Sequence, residues 1–553
     1  MAKVGPVRVS VSSLDPLGIV SLMYQAIQVL IAWFFAPLPP SAQQAQKPLA
    51  KIAVIGAGIT GVSTAAHLAG HGFDVTIFEA GSEEKLGGIW ANVNSSSGLQ
   101  ISSILYRWHP LVRWSKGYPK RDEILANVKR VWTRYGLDKK TRFNTPVQSV
   151  TRHKSSTDPA ERGSAKWIIN GDETQVFDGI SVNVGTCGKP KRMELPGQEK
   201  FKGQIVHSSE LDDVELSGKK VLVVGGGASG VEALELAVEK QSETAIILAR
   251  SDKWIIPRFT LVDILLALQP FGRETITSKI PEFLLKKLHY RDLEEKMAPT
   301  QGFYQDTPIV NTSCLEHIRE GRADYERGDV LELTSDGIEF NKRKRGQKKE
   351  TTGEKVHYDA DVIVVATGFE KPKIDFLPDD LFPGEYVRPN MYLQVFPVED
   401  STVLCTNSTF QAAVGTVGHV HIGIYARILA LFVLEPETRP VPKDMRLWVD
   451  LIRWVKENAP GGELSFFTYM ELCIWLVTFL FFRWTRIQFF FFVLFGLGFW
   501  SRDQASDGKP AGKPRFHLSI TKLIPHYRRK VITSRETKAS ANKKKSRGEA
   551  VKH

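Results

Sequence analysis

Lys51-Ile52-Ala53-Val54-Ile55-Gly56-Ala57-Gly58-Ile59-Thr60-Gly61 decides the fold: a short apolar run breaks into a glycine turn, and Val62 to Leu68 continue in small and apolar residues suited to a helix. Asp74-Val75-Thr76-Ile77-Phe78 returns as a second apolar run and ends on Glu79. This is the order of a nucleotide-binding βαβ unit, whose helix N-terminus offers free N–H groups and a positive dipole end to a pyrophosphate. The order recurs. Lys220 to Val224, the turn Gly225-Gly226-Gly227-Ala228-Ser229-Gly230, a helix around Val231 to Val238 and the run Thr244 to Leu248 repeat it, and this copy leads to Arg250. Glu79 lies 18 residues beyond Gly61 and Arg250 lies 20 beyond Gly230, near the interval of about 20 at which such units read the ribose 2′ position. An acid there accepts from a free hydroxyl, whereas an arginine grips a phosphate. Two different dinucleotides follow, and FAD with NADPH is the pair that fits.

A chain of 553 residues is too long for one core and implies two to four domains, by the size at which single cores stop growing. Its four cysteines, Cys187, Cys314, Cys405 and Cys473, are far apart and form no CxxC, so neither a thioredoxin-type dithiol nor a zinc site is expected, and metal ligation is predicted to play no part. Sequons at Asn94, Asn311 and Asn407 fall in cofactor-domain sequence and read as chance matches. The net charge of +12 suggests nucleic acid until it is located. From Arg502 to His553 there are 15 Lys and Arg against 4 Asp and Glu, so the body before that tail is nearly neutral and no nucleic-acid partner is predicted. The tail reads as disordered, able to lie on anionic lipid or simply to remain solvated.

Two hydrophobic regions flank the body. Leu17 to Leu38 carries no charge in 22 residues, although Gln25 and Gln28 interrupt it. That length suffices for a membrane span. Phe466 to Phe482 has Glu471 as its one charge, Arg483 and Arg486 follow, and Ile487 to Trp500 includes Phe489-Phe490-Phe491-Phe492. Such aromatic segments ahead of a basic tail read as an interfacial or re-entrant membrane hairpin, against the alternative of buried core helices.

After the first βαβ unit comes Gly87-Gly88-Ile89-Trp90, where paired glycines let backbone approach a flat ring system and the tryptophan can pack beside it. The succession of Gly56 to Gly61, Glu79, this GGxW turn, Phe201-Lys202-Gly203-Gln204-Ile205-Val206-His207, Gly225 to Gly230 and Asp361-Val362-Ile363-Val364-Val365-Ala366-Thr367-Gly368-Phe369 resembles the flavin-containing monooxygenases over residues 50–435. FxGxxxH is the identifying signature of that family. The resemblance implies FAD on Gly56, Ala57, Gly58, Ile59, Thr60, Gly61, Glu79, Gly87, Gly88 and Trp90, with Gly185, Thr367 and Gly368 at the junctions between domains. It implies NADPH on Gly225, Gly227, Ser229, Gly230 and Arg250; Lys253 and Arg258 read either as assisting Arg250 or, equally, as solvated surface charges. Gln100, with Asn94 as a competing match, is implied as the residue beside the flavin. His207 is implied to link the domains and help to place NADPH, although a single histidine there also reads as an ordinary structural hydrogen-bonding residue. The chain departs from the family at Leu211, where an aromatic is usual, and at Asn183-Val184-Gly185-Thr186, where only Gly185 keeps the expected junction.

The resemblance implies that NADPH reduces FAD and that O₂ then yields a C4a-(hydro)peroxyflavin, which inserts one oxygen atom into a small lipophilic substrate. Leu211 leaves open a Baeyer-Villiger or epoxidising tailoring enzyme of secondary metabolism. An NADPH oxidase is a further alternative; the missing CxxC argues against a disulfide reductase. The expected architecture is α/β, with an FAD domain carrying an inserted NADPH domain: an anchor and linker over 1–47, FAD domain over 48–205 and 336–445, NADPH domain over 206–335, a membrane-associating segment over 446–501 and a tail over 502–553. The hydrophobic ends lead to an expected place on membrane lipid, at the endoplasmic reticulum with the catalytic domain facing the cytosol.

Overall fold

The computed structural model describes residues 16–40, 47–153, 166–263, 274, 278–306, 308–408, 419–458, 469–501 and 514–518. The basic tail beyond 518 and most of the apolar run 261–268 lie outside these residues. Two sheets organise the chain, and we number their twelve strands together in chain order. The first is five-stranded and parallel throughout, in the order β12 (Val403–Leu404), β4 (Gly179–Val182), β1 (Lys51–Ile55), β2 (Asp74–Phe78) and β3 (Thr141–Arg142). Its central strands are nearly all apolar and buried, as a sheet covered on both faces requires.

The second sheet is seven-stranded, in the order β10 (Glu354–Asp359), β9 (Gly337–Lys342), β8 (Asp324–Leu333), β7 (Thr244–Ala249), β6 (Lys220–Val224), β11 (Val362–Val365) and β5 (Gln204–His207). Pairing is parallel from β8 to β5, and β9 and β10 add an antiparallel edge. Sheet membership therefore differs from the expected division at 335/336. Residues 337–365 complete the second sheet, and the chain re-enters the first only at Val403–Leu404. Long-range pairing of β11 with β6 and β5 fixes this, and no local pattern reports it.

The hydrophobic ends are corrected by the structure. Among the described residues, no helix is long and apolar enough to cross a membrane, and the expected membrane localisation falls with that finding. The N-terminal helix Pro16–Phe35 turns its two glutamines onto the body. Gln25 Nε2 donates to the Trp114 carbonyl at 2.7 Å, while Gln28 both donates to that carbonyl at 3.0 Å and accepts from the Trp114 N–H at 2.8 Å. The C-terminal segment breaks into helices of 13 residues (Tyr469–Phe481) and six (Phe490–Phe495). Leu472, Trp475, Phe479, Phe489 and Phe492 are buried in the main core, which also holds most of the helix His421–Leu434. The one charge of the longer helix, Glu471, is 3 % exposed and bonds at 2.5 Å to Lys456, itself 2 % exposed on the preceding helix Pro442–Asn458. Gln394 Nε2 donates to both Glu471 oxygens. An acid placed for protein contact accounts for a charge in an aromatic run as well as a lipid boundary does, and here the protein contact is made.

Candidate active site

The first glycine turn links β1 to the helix Ile59–Gly70, whose first turn lacks any side-chain cap and so leaves its N–H groups available. Gly56 sits at φ +98°, and a β-carbon on Gly61 would lie 1.8 Å from the Gly56 carbonyl oxygen. The helix can therefore meet the strand this closely only with glycine at 61. Ala57, Ile59 and Thr60 are buried, with Thr60 Oγ1 accepting from Asn407 Nδ2 at 2.9 Å. Glu79 Oε2 accepts from the Ala57 N–H at 2.6 Å and Oε1 from the Gly81 N–H at 2.8 Å. Gly87 and Gly88, both at positive φ, lie against Gly58 through a bridge between Gly58 and Gly87. The GGxW turn is thus brought onto the first turn, and Trp90 Nε1 donates to Tyr106 Oη at 2.9 Å.

The second turn repeats the geometry at the end of β6. Gly225 is at φ +122°, and a β-carbon on Gly230 would lie 2.0 Å from the Gly225 carbonyl oxygen. Gly227 has open space above it at the uncapped start of the helix Ala228–Glu239, which includes Ser229 in its first turn. Arg250, closing β7, is engaged by two acids: Nε lies 3.3 Å from Asp329 and Nη2 lies 2.7 Å from Glu350. Arg343 donates to the Arg250 carbonyl at 2.6 Å, so the basic stretch Lys342–Lys349 between β9 and β10 meets the end of β7. That contact was not anticipated; the charge run itself was the available signal. Lys253 pairs with Asp306 at 3.0 Å and Arg258 with Glu235 at 3.6 Å, so neither joins Arg250 in a cluster.

The junction residues lie where two crossovers run together. Thr367 Oγ1 donates to the Lys191 carbonyl at 2.6 Å, and the Lys191 N–H donates to the Gly368 carbonyl at 2.9 Å. His207 Nε2 also bonds that carbonyl, at 3.1 Å, with Nδ1 2.8 Å from Ser209 Oγ. Burial pushes the imidazole pKa down, favouring the neutral ring. This geometry ties β5 to the turn after β11. Gly185 is at φ +78°, immediately before Thr186.

A cavity of about 380 Å³ opens between the GGxW turn and the start of the helix Ala228–Glu239. Trp90, Leu99, Gln100, Tyr106 and Thr186 border it from the first unit, Ala228 and Glu232 from the second helix, and Lys253, Ile309 and His419 from the remaining sides. Gln100 Nε2 donates to Glu232 Oε1 at 3.2 Å across the boundary. Burial raises the Glu232 carboxyl pKa to about 7, the hydrogen bonds from Gln100 and Ser97 opposing that rise and the nearby Glu235 adding to it. Of the two residues expected to be catalytic, Gln100 borders this cavity and His207 does not. Asn94 is spent elsewhere: Nδ2 donates to the Ser208 carbonyl at 2.7 Å and Oδ1 accepts from the Leu211 N–H at 2.8 Å. Leu211 is wholly buried and does not border the cavity. Sequence reading missed Glu232, Tyr106 and His419; an acid one turn inside the helix, the first of its three, was the only trace of Glu232.

A family model described as flavin-binding monooxygenase-like matches residues 49–411. The chain belongs to that family. It is similar to indole-3-pyruvate monooxygenase YUCCA1 of Oryza sativa subsp. japonica, at 26 % identity over 60 % of this chain and 80 % of that one. It is similar also to dimethylaniline monooxygenase [N-oxide-forming] 2 of Oryctolagus cuniculus, at 28 % identity over 64 % and 68 %. Among solved structures, OTEMO in complex with FAD and NADP shares the fold at a TM-score of 0.56 and 18 % identity, covering 75 % of this chain and 92 % of that one. The family member described here is thus an oxidoreductase, an NADPH-dependent flavin monooxygenase acting on a small substrate with O₂. Its two uncapped helix starts and two glycine cradles suit the pyrophosphates of FAD and NADPH.

Proposed function

We propose that the 380 Å³ cavity is the place of oxygen transfer to a small lipophilic organic molecule, and that heteroatom oxygenation is the principal reaction. One observation carries this reading: a single cavity borders both the GGxW turn of the first unit and the N-terminal turn of the second helix. When bound, FAD supplies the oxygen activation and NADPH the reducing equivalents. Ile89, Trp90, Leu99, Ile101, Tyr106 and Ile309 make the walls predominantly apolar, so a lipophilic substrate is accepted and water is kept out. Gln100 orients the reacting groups from the first unit. Gly56 to Gly61 with Glu79, Gly87, Gly88 and Trp90 hold FAD, while Gly225, Gly227, Ser229, Gly230 and Arg250 hold NADPH. Gly185, Thr367, Gly368 and His207 keep the two units in register, His207 as a positioning residue. The seat of Leu211 in the core, away from the cavity, removes it as a direct selector of substrate.

The test is to load the purified protein with FAD, supply NADPH and isotope-labelled O₂, and offer a tertiary amine, a thioether and a cyclic ketone in turn. One labelled oxygen in the amine or thioether product is the expected result. A labelled lactone alone would replace heteroatom oxygenation by Baeyer-Villiger insertion. Peroxide formed in step with NADPH consumption, without any labelled product, would overturn oxygen transfer altogether.

A further inference from the structure

Glu232 stands between two cavities. It borders the 380 Å³ cavity together with Gln100 and Trp90, and it also borders a second cavity of about 130 Å³ with Glu235, Glu239, Arg258, Tyr118 and Lys120. Gly98 and Leu99 are the other residues common to both walls, and neither side chain can carry a proton. The first cavity is mainly apolar and the second is lined by charges. A monooxygenase turnover takes one proton from solution: NADPH, H⁺, O₂ and substrate give NADP⁺, oxygenated substrate and water. An apolar cavity that excludes water needs a fixed group to bring that proton in.

We propose that Glu232 is the proton relay of this monooxygenase, receiving a proton from the charged cavity and releasing it into the cavity where oxygen transfer takes place. Gln100 Nε2 donates to Oε1, so the proton is held at Oε2. The O–H bond at Oε2 breaks on release toward the main cavity, leaving a carboxylate, and a new O–H bond forms with a proton that enters from solution past Glu235 and Glu239. Each transfer moves only a proton, so no oxidant beyond O₂ and NADPH is required.

The charged and titratable surroundings favour this service. Arg258, paired with Glu235, and the hydrogen bonds from Gln100 and Ser97 stabilise the carboxylate, while burial and Glu235 stabilise the acid. Lys253 is paired with Asp306, and Tyr106 and His419 line the far wall of the main cavity. Opposed influences leave the carboxyl near pKa 7, where protonated and ionised forms coexist at neutral pH.

The inference rests on the cavity as the place of oxygen transfer, and its test separates the two. In the FAD-loaded protein without substrate, difference infrared spectra taken across the neutral range are expected to contain a protonated-carboxyl band that disappears with a midpoint near 7. The band is expected to be missing in Glu232→Gln and to move to a lower midpoint in Glu235→Gln, which removes a like charge. The parent's kcat is expected to fall above the midpoint; Glu232→Gln is expected to lower kcat about 100-fold and to lose that fall, with FAD retention and the rate of FAD reduction by NADPH kept. No neutral-range carboxyl band in the parent, a band that survives Glu232→Gln, or an unchanged kcat and pH profile in that variant would overturn the relay. Failure of the parent to oxygenate any substrate would instead strike the cavity reading. Should Glu232→Gln not fold, the parent band and its response to Glu235→Gln still decide the matter.

Discussion

The two glycine turns begin alike and end differently. In the first, the acid that follows the second strand is fastened by main chain: Glu79 receives the N–H of Ala57 within the turn and that of Gly81 just beyond itself. In the second, Arg250 is fastened by side chains, Asp329 from β8 and Glu350 from the far end of the basic stretch. Glu350 is 78 % exposed at its side chain. Backbone contacts remain while the fold remains, whereas an exposed carboxylate gives way to a stronger anion. We therefore expect the first site to keep its nucleotide through turnover and the second to exchange it, in keeping with FAD as a resident group and NADPH as a co-substrate.

The largest expected effect comes from filling the closest approaches. Gly61→Ala is expected to abolish FAD retention and lower thermal stability, because its β-carbon would meet the Gly56 carbonyl at 1.8 Å and overpacking of this kind costs about 1–3 kcal/mol. Gly230→Ala, facing the Gly225 carbonyl at 2.0 Å, is expected to leave FAD bound and weaken NADPH. Flavin absorbance after gel filtration and an NADPH titration check the pair, and loss of FAD from both variants would erase the distinction between the sites. Arg250→Ala follows, with an expected rise of about 10- to 100-fold in the KM for NADPH, in line with about 1.5–3 kcal/mol for hydrogen bonds to a charged group, and little change for NADH. Steady-state kinetics with both nucleotides measure it; equal effects would refute the phosphate contact. Glu350→Gln is the gentlest probe. Removing an exposed ion-pair partner is worth at most about 1 kcal/mol, so the KM for NADPH is expected to fall about threefold as Arg250 is released. An unchanged KM would mean that Glu350 does not compete with the nucleotide.

Both βαβ units were legible in the sequence because their signals are local: an apolar run, a glycine turn and a charge about 20 residues on. Gln100 was found through its place after the GGxW turn, and the structure sets it on the cavity wall while using both ends of the Asn94 amide on backbone. Glu232 escaped because its importance depends on what lies across from it, Gln100, which is 132 residues away. The C-terminal region misled for a related reason. Phe466 to Trp500 is as apolar as a lipid-facing segment, and apolar composition alone does not say whether lipid or protein covers it. The short helices, the burial of Trp475, Phe479 and Phe492 and the pairing of Glu471 with Lys456 decide, and the last two are tertiary facts. That the hairpin of β9 and β10 joins the second sheet is not legible locally, because strand partners, unlike strand propensity, are set at long range.

The buried pair of Lys456 and Glu471 also governs how the molecule can come apart. Each charge is sheltered from water and paired with the other, so a helix that detached alone would strand its partner's charge in the core, at a cost of about 3–5 kcal/mol. Pro442–Asn458 and Tyr469–Phe481 are thereby expected to open as one unit, their amide protons exchanging with solvent together while the two nucleotide sheets keep their own protection.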